Sequence, residues 1–255
     1  MREVFSKVAG KYDVMNDLMS MGAHRLWKDE LVRMMNFPAA AKASPTLIPR
    51  HLDVAGGTGD VAFRSVTAMA KSYGAAFDIL QDGKRADGER QVVVCDINPE
   101  MLAVGASRAP SVLGDQSSSV GFVEGNAEAL PFTDASFDLY TIAFGLRNVT
   151  DKAQALREAH RVLRRGGRLM VLEFSHLPHP LLQQVYDLYS FNVIPRLGAA
   201  IANDAASYQY LVESIRRFPK QRELQDMVTQ AGFSYSTYSN MTLGIVACHS
   251  GWKLK

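Results

Sequence analysis

The sequence predicts an α/β protein built on an open, doubly wound sheet, and three observations predict it. First, HLDVAGGTGD (His51–Asp60) joins a short apolar run to three glycines and then to a helical pattern. Strand, glycine turn and helix in that order bring backbone N–H groups and a helix N-terminus up to a ligand. Second, VVVCD (Val92–Asp96) and GRLMVLEFS (Gly167–Ser175) are near-continuous apolar runs of the kind found in buried parallel strands. Third, helical patterns alternate with such runs as far as residue 175.

In chain order, residues 2–36 read as a helical cap: Val4, Phe5 and Val8 make one stripe, and Leu26, Trp27, Leu31, Met34 and Met35 make another, ending before Pro38. Lys11–Lys28 between them is rich in Met, Tyr, Asn and His, which suits an adaptable apolar surface for a lipid-like substrate or a Met-filled helix on the core. A linker over 38–50 leads into the central strand and its helix (Val61, Ala62, Phe63, Val66, Met69, Ala70). Ser72–Gln91 reads as a loop-like insertion. After the second strand a helix starts near Pro99, with Asp96-Ile-Asn-Pro99 in capping position. Gly121–Glu124 is a short third strand, Ala135–Asn148 holds a fourth, and Asp151–Gly167 is an amphipathic helix with a glycine stop, His160 half-buried on it. From Pro178 to Phe218 the alternation lapses into aromatic helical sequence, readable as a lid, a shallow membrane-contact surface or a structural excursion on the sheet edge. Gln221–Ala231 is a helix closed by Gly232, and the remainder forms a strand pair. The expected organisation is one domain over 1–255: a cap (1–36), a core (46–175), a lid (178–218) and a closing helix and strand pair (221–255).

Composition narrows the classes. At 255 residues, 47% of them hydrophobic, the chain can bury a substantial core. Twenty-eight basic and 26 acidic residues are interspersed, with a net charge of +2, so a nucleic-acid binder is not expected. No apolar run approaches the length of a transmembrane helix. Cys95 and Cys248 lie in strand-like segments without metal-ligand spacing, which reads as buried free thiols in a reducing compartment; neither a disulfide scaffold nor a metal centre is expected. MREVFSKVAGKYD lacks both the apolar core of a secretory signal and the acid-free composition of an organelle presequence.

The chemistry starts at the glycine turn. Gly57-Thr-Gly59-Asp-Val-Ala62 fits the dinucleotide fingerprint, so a nicotinamide oxidoreductase is one reading. S-adenosylmethionine (SAM) is the other. An anionic pyrophosphate sits poorly beside Asp53 and Asp60, whereas the ammonium of a methionyl group is welcome there. Asp96, ending the second strand, is placed to grip a ribose diol. Asn126 can exchange hydrogen bonds with an adenine edge or serve as a turn residue. The fourth strand leaves Gly145, Arg147 and Asn148 at the carboxyl edge of the sheet, where open α/β sheets bind ligands.

AGGTGD (Ala55–Asp60), CDIN (Cys95–Asn98), NAEALPF (Asn126–Phe132), FGLRNVTD (Phe144–Asp151) and HRVLRRGGRLMVLEFS (His160–Ser175) together resemble the UbiE-type ubiquinone/menaquinone C-methyltransferases. Lys11–Lys28 and SYQYLVESIRRFP (Ser207–Pro219) extend the resemblance over nearly the whole chain. The insertion and the ending GIVACHSGWKL are more similar to the eukaryotic, mitochondrial coenzyme Q branch. The resemblance implies a seven-stranded class I methyltransferase fold with an antiparallel last strand, SAM as methyl donor, and C-methylation of a polyprenylated methoxybenzoquinol. It places Gly56, Gly57, Thr58 and Gly59 on the cofactor loop, Asp96 with Ile97 on the ribose side, and Asn126 with Ala127 at the adenine. It also implies the matrix face of the mitochondrial inner membrane, peripheral membrane contact, a multi-enzyme coenzyme Q complex and a homodimer. Three departures are visible: Ala143 stands where bacterial relatives often carry Ser, Arg165 where a Pro often precedes the double glycine, and the N-terminus lacks the organelle presequence the resemblance leads one to expect.

Methylating a hydroquinone carbon calls for phenolate character at the neighbouring oxygen, because a neutral phenol, with a pKa of about 10, is a weak carbon nucleophile. Arg147 and Asn148 are the first catalytic candidates: Arg147 to stabilise phenolate charge and orient a water, Asn148 to hold that water or the ring hydroxyl. Arg147 paired with Asp96 or Asp151 is the structural alternative. Tyr12 and His24 are the alternative bases. A rival of another class is a quinone-binding assembly subunit without turnover.

Overall fold

The computed structural model describes residues 20, 22–37, 48–78, 90–177 and 205–255. Within them one seven-stranded sheet comprises β1 (His51–Val54), β2 (Val92–Asp96), β3 (Val120–Glu124), β4 (Phe137–Ala143), β5 (Leu163–Phe174), β6 (Ser234–Met241) and β7 (Val246–Trp252). The spatial order is β3-β2-β1-β4-β5-β7-β6. Strands β1 to β5 pair in parallel, and β7 runs antiparallel to both β5 and β6. From β1 the chain winds outward through β2 and β3, then returns to β4 on the other side of β1. That switch opens a crevice beyond the carboxyl ends of β1 and β4.

The helices are α1 (Ala23–Met35), α2 (Asp60–Tyr73), α3 (Pro99–Leu113), α4 (Lys152–Val162), α5 (Ala205–Arg217) and α6 (Gln221–Gln230), with a single helical turn at Ala75–Asp78 in the predicted insertion. Strand parity sorts side chains between the two faces. Leu52, Val54, Tyr140, Ile142 and Val171 pack with Leu156 and Ala159 of α4 and Leu224 and Val228 of α6. On the opposite face Leu139, Met170 and Leu172 meet Trp27 and Leu31 of α1, while Val92 and Val94 meet Phe63, Val66 and Met69 of α2.

Two expectations are corrected here. In α1 the buried face is His24, Trp27, Lys28, Leu31, Val32 and Met35, and Leu26 is 69% exposed. The 3.6-residue period counted from the Trp27 anchor puts Lys28 and Val32 inward and Leu26 outward. Trp27 meets Phe174 edge-on at 5.9 Å, and its indole N–H donates to Thr242 at 2.8 Å. The second correction is at α4, which stops at Val162; Leu163 to Gly167 belong to β5 and not to the helix end. Lys253 donates through Nζ to the carbonyls of His160 and Leu163 at 2.7 and 2.8 Å, so a distant ammonium satisfies the helix end that the glycines were expected to close. Residues 1–19, 79–89 and 178–204 lie outside the described residues, and with them most of the predicted cap and lid.

Candidate active site

A cleft of about 360 Å³ opens at the carboxyl ends of β1, β2 and β4, within the size range of small-molecule sites. Its floor is the turn from β1 into α2. Gly56 is required by close approach: a Cβ there would lie 2.8 Å from Val94 Cγ1 and 2.9 Å from Asp53 Oδ2. Gly59, the N-cap of α2, is required by its φ of 83°.

Asp53 is buried. Its Oδ1 accepts from the Thr141 hydroxyl at 2.6 Å, whereas Oδ2, beside Gly56, has no hydrogen-bond partner. Burial pushes this carboxyl up to about 7, against the opposing pull of Thr141 and Lys28. Asp60 differs. Its Oδ2 accepts from Lys28 Nζ at 2.8 Å and its Oδ1 from Arg64 Nε at 3.2 Å. Burial works against its charge, yet Lys28 and then Arg64 hold the carboxyl below its ordinary value. Of the two acids expected to welcome an ammonium, Asp60 already has its cations.

Asp96 ties two segments together: its Oδ2 accepts from Gly57 N–H and its Oδ1 from Asn98 N–H, each at 2.9 Å. Within the segment Asp96–Pro99 expected to cap the helix, the capping residue is Asn98, whose Oδ1 accepts from the N–H groups of Glu100 and Met101. Ile97 is 52% exposed and borders the cleft together with Asp96, Asn126, Ala127 and Ala143. Thr58 is buried and accepts from Arg108 at 3.0 Å. Asn126 makes the turn contact: its Oδ1 accepts from Glu128 N–H at 3.0 Å, leaving its NH2 group and a second lone pair. Gly145 brings the β4 loop against the β1 loop, since a Cβ there would lie 2.4 Å from Ala55 Cβ.

The catalytic candidates divide. Asn148 borders the cleft, and the Tyr210 hydroxyl of α5 donates to its Oδ1 at 3.4 Å. Arg147 does not border it. Its guanidinium is paired with Glu173, Nη1 to Oε1 at 2.7 Å, with side-chain exposures of 6% and 1%. Arg147 also donates to the Phe144 carbonyl and lies 5.5 Å from the Phe174 ring centroid. The pairing expected with Asp96 or Asp151 is made with Glu173 instead, because a carboxylate buried in β5 requires a cation at once and β4 delivers Arg147 next to it. His24 is buried against Ser20, Nδ1 to Oγ 3.0 Å, and is not among the residues bordering the cleft; the helical period directs it into the core. Tyr12 lies outside the described residues. Lys28, absent from the sequence-based candidates, does border the cleft. A lysine at a core position of an amphipathic helix was its only signal.

A model of the ubiE/COQ5 methyltransferase family matches residues 1–253. A 2-methoxy-6-polyprenyl-1,4-benzoquinol methylase, mitochondrial, of Oryza sativa subsp. japonica is 52% identical over 253 residues, covering 98% of this chain and 82% of that protein. A ubiquinone/menaquinone biosynthesis C-methyltransferase UbiE of Rhizobium leguminosarum bv. trifolii is 53% identical over 252 residues, covering 99% and 88%. A SAM-dependent methyltransferase of Thermotoga maritima superposes with a TM-score of 0.59 at 18% identity over 99% of both chains, a likeness of fold. The cleft suits SAM: a buried carboxylate with one unpartnered oxygen beside Gly56, where a Cβ would fill the approach, fits a cationic amino group.

Proposed function

We propose, from the premise that this chain belongs to the ubiE/COQ5 methyltransferase family and uses SAM as its methyl donor, that it methylates a ring carbon of a polyprenylated methoxybenzoquinol in ubiquinone biosynthesis. The observation that carries the reading is the Asp53–Gly56–Asp96 floor of the cleft. Three glycines admit the cofactor, Asp53 faces its ammonium, and Asp96 with Ile97 and Asn126 with Ala127 receive the nucleoside. A nicotinamide dinucleotide fits this floor poorly, because the Gly57 N–H is already given to Asp96 and two carboxylates stand where a pyrophosphate would lie.

When bound, the sulfonium supplies an electrophilic methyl group. Transfer of that methyl to the ring carbon would leave the electron pair of the broken S–CH3 bond on the thioether. The ring carbon would then give up its own proton to water, which restores aromaticity. Asn148 holds the ring hydroxyl or a water that takes the phenolic proton, which puts electron density onto the adjacent carbon. Arg147 works at one remove as a positioning residue: through Glu173 and the Phe144 carbonyl it sets the loop that presents Asn148. Alignment of two bound reactants supplies much of the acceleration.

The reading includes a mitochondrial location at the matrix face of the inner membrane, peripheral membrane contact, homodimer formation and association with other enzymes of the pathway. Among the described residues no helix is long and apolar enough to cross a membrane. The test is direct turnover. Purified protein, methyl-labelled SAM and a short-chain methoxybenzoquinol under reducing conditions are expected to give label on a ring carbon by mass spectrometry. SAM binding without transfer supports the assembly-subunit alternative, and absence of SAM binding overturns the reading.

A further inference from the structure

Behind the glycine turn lies a line of polar side chains that the reaction as described does not use. Ser65 of α2, His51 of β1, Thr141 of β4 and Asp53 of β1 are all buried among apolar neighbours. Strand register explains the meeting: His51 pairs with Leu139 and Asp53 with Thr141, so His51, Asp53 and Thr141 share the face that α2 covers. The contacts run Ser65 Oγ to His51 Nδ1 at 3.0 Å, His51 Nε2 to Thr141 Oγ1 at 2.8 Å, and Thr141 Oγ1 to Asp53 Oδ1 at 2.6 Å.

Donor accounting gives the chain a direction. An ionised Asp53 only accepts, so the single Thr141 proton goes to it. Thr141 must then accept from His51, which places the imidazole proton on Nε2. The bare Nδ1 accepts from the Ser65 hydroxyl. Burial holds His51 neutral by pushing its pKa down to about 3, so the imidazole keeps a single proton and the chain keeps this direction wherever Asp53 is ionised. Every donor points towards Asp53, and the line ends at Oδ2, the oxygen without a partner beside Gly56.

The geometry points to Thr141, His51 and Ser65 as a positioning chain that orients Asp53 and favours its ionised form, and so sets the preference of the cleft for ligands carrying an amino group. This rests on the reading of Asp53 as the partner of the cofactor's ammonium. An aliphatic environment alone would protonate a buried carboxyl, and a fixed donor on the far oxygen opposes that. The other titratable groups around Asp53 leave the assignment intact. Lys28 of α1 and Asp60 of α2 are paired with each other at 2.8 Å. On the other face of the sheet, burial pushes the Cys95 thiol of β2 up to about 12 and the Tyr140 hydroxyl of β4 upward as well, so both stay neutral. Asp96 of β2 is held by two backbone N–H groups.

The experiment measures calorimetric binding of S-adenosylhomocysteine, which carries the amino group, and of 5′-methylthioadenosine, which lacks it, as a function of pH. Thr141→Val keeps the side-chain volume and removes the donor. It is expected to weaken S-adenosylhomocysteine about tenfold while leaving methylthioadenosine binding unchanged, which also shows that the cleft is folded. The lower pH midpoint of S-adenosylhomocysteine binding should rise, because a lost donor to the carboxylate raises the Asp53 pKa. Thr141→Ser should restore both, and His51→Phe should give a smaller shift in the same direction. Equal losses for the two ligands, or an unmoved midpoint in Thr141→Val, overturn the inference. Asp53→Asn tests the premise separately: if it leaves the preference for S-adenosylhomocysteine intact, the reading of Asp53 itself fails.

Discussion

Two buried polar networks flank the cleft, and they differ in where their charge ends. On the β4–β5 side Arg147 and Glu173 match each other, and Glu173 also accepts the N–H groups of Arg147 and Phe174 at 3.2 and 2.9 Å. On the β1 side the line from Ser65 to Asp53 runs one way and ends at an oxygen with no partner in the protein. A charge matched within the protein shapes a loop; a charge left unmatched awaits a ligand. On the proposed reading that contrast sets Arg147 in the scaffold around Asn148, and it leaves Asp53 as the buried, unpartnered end of its own network.

The largest effect should come from breaking the matched pair. Arg147→Met strands a carboxylate that is 1% exposed, and removing one partner of such a pair costs about 3–5 kcal/mol. Urea denaturation should show this loss, with turnover falling even at saturating SAM. A stability within about 0.5 kcal/mol of the parent would mean that the ion pair is not what holds the loop.

The second test uses pH and separates two opposing titrations on the β1 side. The Asp53 carboxyl is raised to about 7 in the folded protein from 3.8, so the stability it contributes is present below about pH 4 and is lost as pH rises towards 7. His51 is depressed to about 3 from 6.5, so its contribution is present above 6.5 and is lost as pH falls towards 3. Between pH 4 and 6.5 the two slopes cancel. Asp53→Asn removes one of them, and the variant should lose about 1.4 kcal/mol per pH unit relative to the parent as pH falls through that window. Parallel stability curves for the two proteins would contradict the environments assigned to both groups.

The smallest effect concerns the bridge between the networks and the cap. Lys28→Met leaves Asp60 with Arg64 alone, and a partly buried hydrogen-bonded ion pair is worth about 1 kcal/mol. A drop of a few degrees in melting temperature, with SAM binding retained, is the expected result. A collapse of binding would instead make Lys28 part of the ligand site.

Much of this was legible in the sequence because it is local. The glycine turn announces itself by three glycines in four positions, Asn98 caps its helix from two and three residues away, and the apolar runs name the strands. Asp53 and Asp96 follow from their places at strand ends. The polar network behind the turn was not legible: His51 and Thr141 are 90 residues apart, and a polar residue inside an apolar strand does not reveal its partner. Arg147 illustrates the other limit. FGLRN places it at the correct edge of the sheet, but whether its guanidinium turns to the cleft or to Glu173 depends on the register of β4 against β5.

By itself, then, the sequence determined the succession of strands and helices, the glycine turn and the acids beside it, because periodicity, capping and glycine conformations act within a few residues. Only the tertiary structure decided which buried charges are matched and which is left open, that α1 puts Lys28 inward, and that β7 inserts between β5 and β6. Those outcomes depend on strand register and on the cost of burying a charge without its partner, and neither acts until distant segments meet.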